Sequence, residues 1–402
     1  MPLTSSIKQL LDRGVHLLHP ASVWIAPEIN PERIAAGVTI HPGCRLSGAD
    51  TAIGPDCEIG REAPVTLENC RLGRAVQLKG GYFSQSVFLD QVQIGSGAHV
   101  RPACLLEEEV GVAHSVGLKQ TVLMPFVTLG SLVNFCDCLM AGGSSRKNHS
   151  EIGSAYIHFN FTPHQDKATP SLFGDVPAGV WLDQPPIFMG GQGGMVGPAR
   201  VAYGTVVPAG LIVRGDIAAP GLYVPPPNNK PPPADYRTGR YNRVDRIVAA
   251  NLRYIGNIIA LRAWYNIVRA PFMLADQFHA ACHAGALQCL DAILLERLSR
   301  MDELADKMAM SIRLHEAMPS VNGGSNESLL QQRRLQERWP TMRGQIENIM
   351  RQSRPPPSGL TEELAGLTRH SYLEAVRLLT PESRQCARAW LEAIVAAVMA
   401  TY

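Results

Sequence analysis

The sequence predicts a protein in two parts, mainly β and then α: a parallel β-helix of six-residue repeats followed by an all-α helical bundle. Three observations lead there. An aliphatic residue opens unit after unit of six, in IGPDCE (53–58), IGREAP (59–64), LGRAVQ (72–77), IGSGAH (94–99), VRPACL (100–105), LGSLVN (129–134), IGSAYI (152–157), VAYGTV (201–206) and VPAGLI (207–212). Composition then changes near residue 225, from Gly, Val, Ile, Pro and Ala to Leu, Ala, Arg and Glu at helical spacing. Between the two lies PPPNNKPPP, 225–233.

A period of six matches neither the 3.6 of a helix nor the alternation of a single strand, but it suits one inward side chain on each flat side of a triangular coil. Three hexads then make a turn. Gly after the aliphatic residue reads as freedom for a tight corner, and small fifth-position residues such as Cys57, Ala63 and Cys104 fit inside it. The segments 139–151 and 161–171 lose the period and gain Gly, Ser, Pro, His and Lys. They read as loops leaving the solenoid, either plain surface or a binding face. The proline run reads as a semi-rigid spacer. Beyond it, 243–269, 276–318, 329–352, 360–379 and 382–400 carry apolar residues three and four apart, as a four- or five-helix bundle does. The chain is thus expected to hold a hexapeptide-repeat domain over 1–224, a Pro-rich linker over 225–239 and a helical domain over 240–402.

Composition narrows function by exclusion. The 402 residues hold 37 Lys and Arg against 35 Asp and Glu, a net charge of +2, far from a concentrated basic footprint. No nucleic-acid partner is expected. The opening MPLTSSIKQLLDRGV lacks the features of a signal peptide and no apolar run approaches membrane-spanning length, so the expectation is a cytoplasmic protein with no membrane role. Nine scattered cysteines read as reduced thiols. Asp276, His279 and His283 share a helix face beside Cys282, but no second helix offers matching ligands, and Cys136 and Cys138 lack a further pair. No metal is expected. The loose stripe Arg237, Arg240, Arg243, Arg246, Arg253, Arg262 and Arg269 reads as a solvated helix face or a seam to the β-helix.

The front of the chain resembles the acetyltransferase half of the bifunctional N-acetylglucosamine-1-phosphate uridylyltransferase/glucosamine-1-phosphate acetyltransferase family, in the hexapeptide-repeat transferase superfamily. LLDRGVHLLHPASVWIAP is similar to its linker helix and first coil, GVTIHPGCRL and IGPDCEIG to its early turns, and FMGGQGGMVGPARVAYGTVVPAGLIVRGD to its last turns. The nucleotidyltransferase domain has no counterpart here, so uridylyl transfer is not implied, and the helical half matches nothing in that enzyme. The resemblance implies a left-handed β-helix, a homotrimer with sites between neighbouring prisms, and acetyl-CoA as acyl donor. It implies an acyltransferase acting on a sugar phosphate or nucleotide-sugar. The alternative is a catalytically inactive trimer serving as a sugar-phosphate- or nucleotide-binding or scaffold protein, with the helical domain open to a protein partner.

Residue by residue, the resemblance places Arg101 (HVRPACL) and Lys119 (VGLKQ) on the sugar phosphate, where two cations suit the anion. Asn160 (HFNFTP) falls at a substrate or acetyl-CoA contact, Ser154 and Ala209 at small positions lining the acetyl-CoA groove, and Gly191 where the family has Ser. Ser131 stands where the family has its catalytic His, and Asn134 where it has a sugar-binding Tyr. Acyl transfer to an amine or hydroxyl still needs a base near neutral pKa. His149, beside Arg146 and Lys147 in the inserted loop, is the preferred candidate, followed by His114 and then by His158 and His164, which flank Asn160.

Overall fold

A computed structural model describes residues 3–225, 236–317, 324–352 and 354–402. Apart from Pro225, the proline spacer lies outside the described residues. The front half winds as a three-sided parallel β-helix. Strands of two to four residues stack coil on coil into face A (eleven strands, His16–Leu17 to Gly221–Leu222), face B (ten, Trp24–Ile25 to Ile212–Arg214) and face C (eight, Ala52–Ile53 to Ala199–Val201). The residues that open the hexads, Ile53, Ile59, Leu72, Ile94, Val100, Leu129, Ile152, Val201 and Val207, all lie in one buried column with Cys57 and Cys104. The hexad is therefore the core pattern of the prism. Helix Ser5–Asp12, capped by Thr4, lays Ile7 and Leu10 against the first coil and closes that end of the column.

Of the glycines after the aliphatic residues, Gly60 has the positive φ (+88°) that a tight corner needs, but others serve a different purpose. Gly130, Gly153 and Gly190 do not adopt positive φ; a Cβ there would lie 2.7, 2.4 and 2.3 Å from backbone nitrogens of the next coil. Close stacking of coils, not corner flexibility, requires them.

The rear half begins with helix Val244–Trp264, which runs into a π turn at Tyr265–Arg269. The long helix Gln277–Ala317 follows, and then Gly324–Arg351, which starts earlier than the periodicity indicated. The expected fourth segment divides into Leu360–Leu367 and Tyr372–Leu378, because Ser371 and Glu374 form a capping box that starts a new helix. Pro381–Met399 closes the bundle.

These helices pack directly on the prism. The outward residues of face C, Val87, Leu105, Val122, Leu139 and Leu172, are apolar and buried, and share a second core with Leu252, Trp264, Leu290, Ile293 and Leu298. Helix Gln277–Ala317 has a window of mean hydropathy 1.3, apolar enough by composition to cross a bilayer, but here Leu290, Ile293, Leu294 and Leu298 are buried in that shared core. Polar contacts pin the seam. Arg269 is buried between Glu107 (2.9 Å) and Glu108 (2.6 Å), with Tyr265 Oη donating to Glu107 at 2.7 Å. Arg297 pairs with Asp137 at 2.9 Å and His279 with Asp90 at 3.0 Å. His283 Nε2 lies 3.1 Å from the Tyr265 carbonyl oxygen, so the Asp276–His279–His283 face is part of this seam. Members of the arginine stripe also meet it or its neighbours, Arg246 donating to the Pro198 carbonyl and Arg262 pairing with Asp291.

Candidate functional site

The prism's three corners sort the candidate residues. Each coil passes from face A to face B through four residues or so, and successive passages stack into a column. His114, Ser131, Ser154, Gly191 and Ala209 all fall in the A–B column: Leu132 N donates to the His114 carbonyl, Ala155 N to Ser131, Gln192 N to Ser154, and Gly210 N to Gly191. Within it Ser131 Oγ lies 3.0 Å from His114 Nδ1, and Ser131 N donates to Ser154 Oγ at 3.2 Å. Both Ser131 and His114 keep contact with solvent. An imidazole one coil below thus touches Ser131 at this corner.

Face B carries the cations. Arg101 Nη2 donates to Cys136 Sγ at 3.3 Å, Lys119 is the register partner of Cys136 on the neighbouring strand, and Cys136 Sγ donates to Asn134 Oδ1 at 3.2 Å. Burial pushes the Cys136 thiol up, with Arg101 and Lys119 acting in the opposite sense. Arg101 and Lys119 therefore meet around one side chain. Glu107 and Glu108, which could have paired with them, are taken by Arg269. Asn134 joins the two groups: it begins the strand that leaves the A–B corner, and Cys136 is two residues on, roughly 7 Å of strand rise.

The remaining candidates lie elsewhere. His149 sits in a hairpin, Gly143–Ser145 with Asn148–His149, at the C–A corner. Its Nδ1 is 2.9 Å from the Arg146 carbonyl oxygen and its Nε2 3.6 Å from Glu151. Among the described residues it contacts no other candidate. The Arg146 guanidinium is used up on the Glu109 and Phe126 carbonyls and Thr128, and Arg377 of the helical half bonds the Ser144 carbonyl. His158 points into the prism, next in register to Met195 and edge-on to Phe135, with Nε2 2.8 Å from Ser171 Oγ. Burial lowers its pKa to about 4, so it stays neutral at physiological pH. His164 Nδ1 accepts from Gly239 N, and its ring stacks near Tyr241. Asn160 Nδ2 donates to Asp137 Oδ2 at 2.5 Å, and Asp137 holds Arg297 through its other oxygen.

The 161–171 insertion accordingly faces the helices. Asp166 accepts from Tyr241 Oη, Ala168 from Asn251, Lys167 from Arg297, and Gln165 from Lys307. Sequence reasoning missed Cys136 and the His114–Ser131 contact. The second had a signal, since 17 residues separate the pair, about one coil of three hexads. The first was visible only as a thiol at strand spacing from Asn134. Among the described residues no group of three His, Cys, Asp or Glu side chains is arranged to hold a metal.

No protein-family model matches the chain. Curated relatives do match about half of it. Bifunctional protein GlmU of Thermotoga petrophila is 26% identical over 212 residues, 52% of this chain and 42% of the relative. Those of Geotalea uraniireducens and Pelobacter propionicus are each 28% identical over 218 residues, 54% of this chain and 42% of the relative. The match thus spans about two fifths of the length of these relatives. The hexapeptide-repeat prism described above is what an acetyltransferase-like relative of GlmU would carry, and the chain is similar to those proteins over that extent.

Proposed function

We propose that the prism is an acyltransferase that moves an acyl group, acetyl by the resemblance, from coenzyme A to the amine or hydroxyl of a sugar phosphate or nucleotide-sugar. The observation that carries this reading is the 3.0 Å contact between His114 Nδ1 and Ser131 Oγ on the corner shared with Ser154, Gly191 and Ala209. With Nδ1–H donating to Ser131, the His114 Nε2 is unprotonated and free to take the acceptor's proton as the new bond forms. Ser131, itself held by Ser154, fixes the ring. His149 is oriented in the same way, Nδ1 toward the Arg146 carbonyl oxygen, but it stands at the C–A corner with Glu151 3.6 Å from its Nε2, away from Ser131, Ser154, Gly191 and Ala209.

The corner fits an extended acyl donor. Gly153, Gly190 and Gly191 leave it bare of side chains because a Cβ would run into adjacent coils, and an unbranched arm can lie along such a strip. The donor's thioester supplies the acyl carbon. Arg101 and Lys119 hold the acceptor's phosphate by charge-assisted hydrogen bonds, and Asn134 lies between phosphate and base. Three copies around a three-fold axis would enclose this groove, in a cytoplasmic homotrimer.

The absence of the inherited base favours a second reading, in which the same trimer binds sugar phosphates without turning them over. One experiment separates them. Purified protein is incubated with acetyl-CoA and a panel of amino-sugar phosphates and nucleotide-sugars, and free thiol and acceptor binding are measured. Thiol release that needs the acceptor and falls in Arg101→Ala/Lys119→Ala supports transfer. Binding that depends on the same cations without thiol release supports the silent trimer. Neither release nor binding defeats both.

A further inference from the structure

A second cationic site lies where the last coils of the prism meet the start of the helical half. A cleft of about 410 Å³ there is lined by Val196, Arg214, Asp216, Arg243, Arg246 and Ile247, with Gly215 and Asn242 completing it. Arg200 and Arg253 stand behind Asp216: Arg200 N donates to Asp216 Oδ1 at 2.9 Å, and Arg253 is depressed by burial and then by the neighbouring Arg200, against the pull of Asp216 and Asp175. Among the described residues none of these five arginines forms an ion pair with a carboxylate. Arg246 donates only to the Pro198 carbonyl. Helix Val244–Trp264 starts at the cleft with Arg243 as N-cap; Asp245 of its first turn is paired with Arg334, and Asp245 N donates to Gln331 Oε1.

Such an arrangement is costly without a ligand. Three guanidiniums line the cleft against one carboxylate, Asp216, and behind it Arg253 is held partly desolvated beside Arg200. Like charges disfavour the charged state, and an anion bound between them removes that penalty. We infer that this cleft binds a small phosphoanhydride, a diphosphate or longer, through Arg214, Arg243 and Arg246 with Arg200 and Arg253 in support. A single phosphate neutralises too little of the charge. The apolar lining is Val196 and Ile247, with no aromatic ring among the described lining residues on which a base could stack, so recognition rests on the phosphates. The site needs both halves of the chain: Arg200 and Arg214 come from the prism, and Arg243, Arg246 and Arg253 from the helices. It is separate from the Arg101–Lys119 group. In face B register, Val196 lies between Phe159 and Arg214, and Cys136 is a coil below Phe159.

The test is calorimetric titration of the full chain with inorganic pyrophosphate, with ADP in parallel. Arg214→Gln/Arg243→Gln is the main variant, because both side chains are exposed and hold no partner among the described residues. It should weaken pyrophosphate at least tenfold with an unchanged melting temperature. Asp216→Asn, which removes a competing anion and keeps an oxygen for Arg200 N, should tighten it. Equal affinity in the double variant, or weakening by Asp216→Asn, overturns the site. So does pyrophosphate binding that vanishes in Arg101→Ala/Lys119→Ala but survives in the double variant, since the anion would then sit on face B. Binding of ADP but not pyrophosphate would show that the base carries recognition, against the inference. Binding of an RNA oligomer with no pyrophosphate binding would assign the charge to a polymer and also overturns it. None of these outcomes depends on acyl transfer.

Discussion

Cutting the chain after residue 224 tests the claim that the helices complete the prism. On face C the outward residues Val87, Leu105, Val122, Leu139 and Leu172 are apolar and buried only because the helices cover them. At about 1.5–3 kcal/mol for each aliphatic side chain returned to water, these five account for roughly 8–15 kcal/mol, comparable to the whole net stability of a typical domain. The buried acids behave differently. Glu107 and Asp137 lose Arg269 and Arg297 but regain water in the truncated chain, so their loss of partners adds little. The apolar face decides the outcome. Residues 1–224 should therefore be recovered largely as aggregate, and any soluble fraction should bind a hydrophobic dye strongly and melt well below the full chain. Light scattering on gel filtration, dye fluorescence and calorimetry measure this. A soluble 1–224 protein with the full chain's melting temperature and no dye binding would refute the reasoning, and with it the role of face C as core.

Four shorter predictions follow. Arg269→Met in the full chain leaves buried Glu107 and half-buried Glu108 without a cation and should cost about 3–5 kcal/mol in denaturant unfolding; loss below 1 kcal/mol would mean that the acids find another partner. The His279–Asp90 bond raises the His279 pKa, so its stabilisation is complete below the unfolded value of about 6.5 and is lost as pH rises through the raised folded value. Asp90 is pushed up by burial but held below its ordinary value mainly by His279, so its share is present above about 3.9 and is lost as pH falls through the depressed folded value; the melting-temperature gap between the native protein and His279→Gln should thus be widest in mild acid and shrink in alkali, and a gap that grows with pH contradicts this. If transfer is found, His114→Ala should lower its rate by roughly 10²–10⁴ with little change in acceptor affinity, while His149→Ala stays within a few-fold; the reverse ranking returns the base to the hairpin. Ile157 and Ile212 are 42% and 51% exposed on face B, and Ile157→Lys/Ile212→Lys should dissociate a trimer formed through that face and leave the monomer's fold intact by circular dichroism; an undisturbed oligomer would place the contact elsewhere.

Much of the prism was legible because its core repeats in the sequence. Every hexad-opening residue points inward, and Cys57 and Cys104 sit in the same column. The helical segments were legible for the same reason, apart from the division at Ser371, where a local cap overrides a continuous apolar pattern. That the helices could meet the prism was open in the arginine stripe, read as a solvated face or a seam to the β-helix; which face they cover was not read. Its signal was present: face C strands read Val87–Phe88, Leu105–Leu106, Val122–Leu123, Leu139–Met140 and Leu172–Phe173, apolar at both positions, as a sheet covered on both sides requires. Face A strands such as Gln77–Leu78 and Gln93–Ile94 alternate instead. Matching only one position in six hides that difference. The site was half legible. Colinear matching put Ser131, Ser154, Gly191 and Ala209 in order, but which histidine reaches Ser131 depends on stacking between coils, and His149, His158 and His164 are drawn away by a hairpin, the prism core and the helical seam.

The covered face also constrains where a partner copy could dock. A triangular prism with helices on face C keeps A and B open, and these meet at the corner that holds His114 and Ser131. That corner is the one farthest from the helices. The exposed apolar side chains of the later coils lie on both sides of it: Leu132, Ile157 and Ile212 toward face B, Phe188 and Val206 on face A. Scattered apolar residues are ordinary on a surface, but a set that flanks one edge is what a buried groove between copies needs. The helices therefore stabilise the prism from the side where they cannot obstruct the proposed chemistry, and Asn160 and the 161–171 insertion, once bound to them, belong to that support. A sequence-ordered family match cannot distinguish residues that face the groove from residues recruited to hold the helices, because both lie on successive coils. The direction each side chain takes from its corner does.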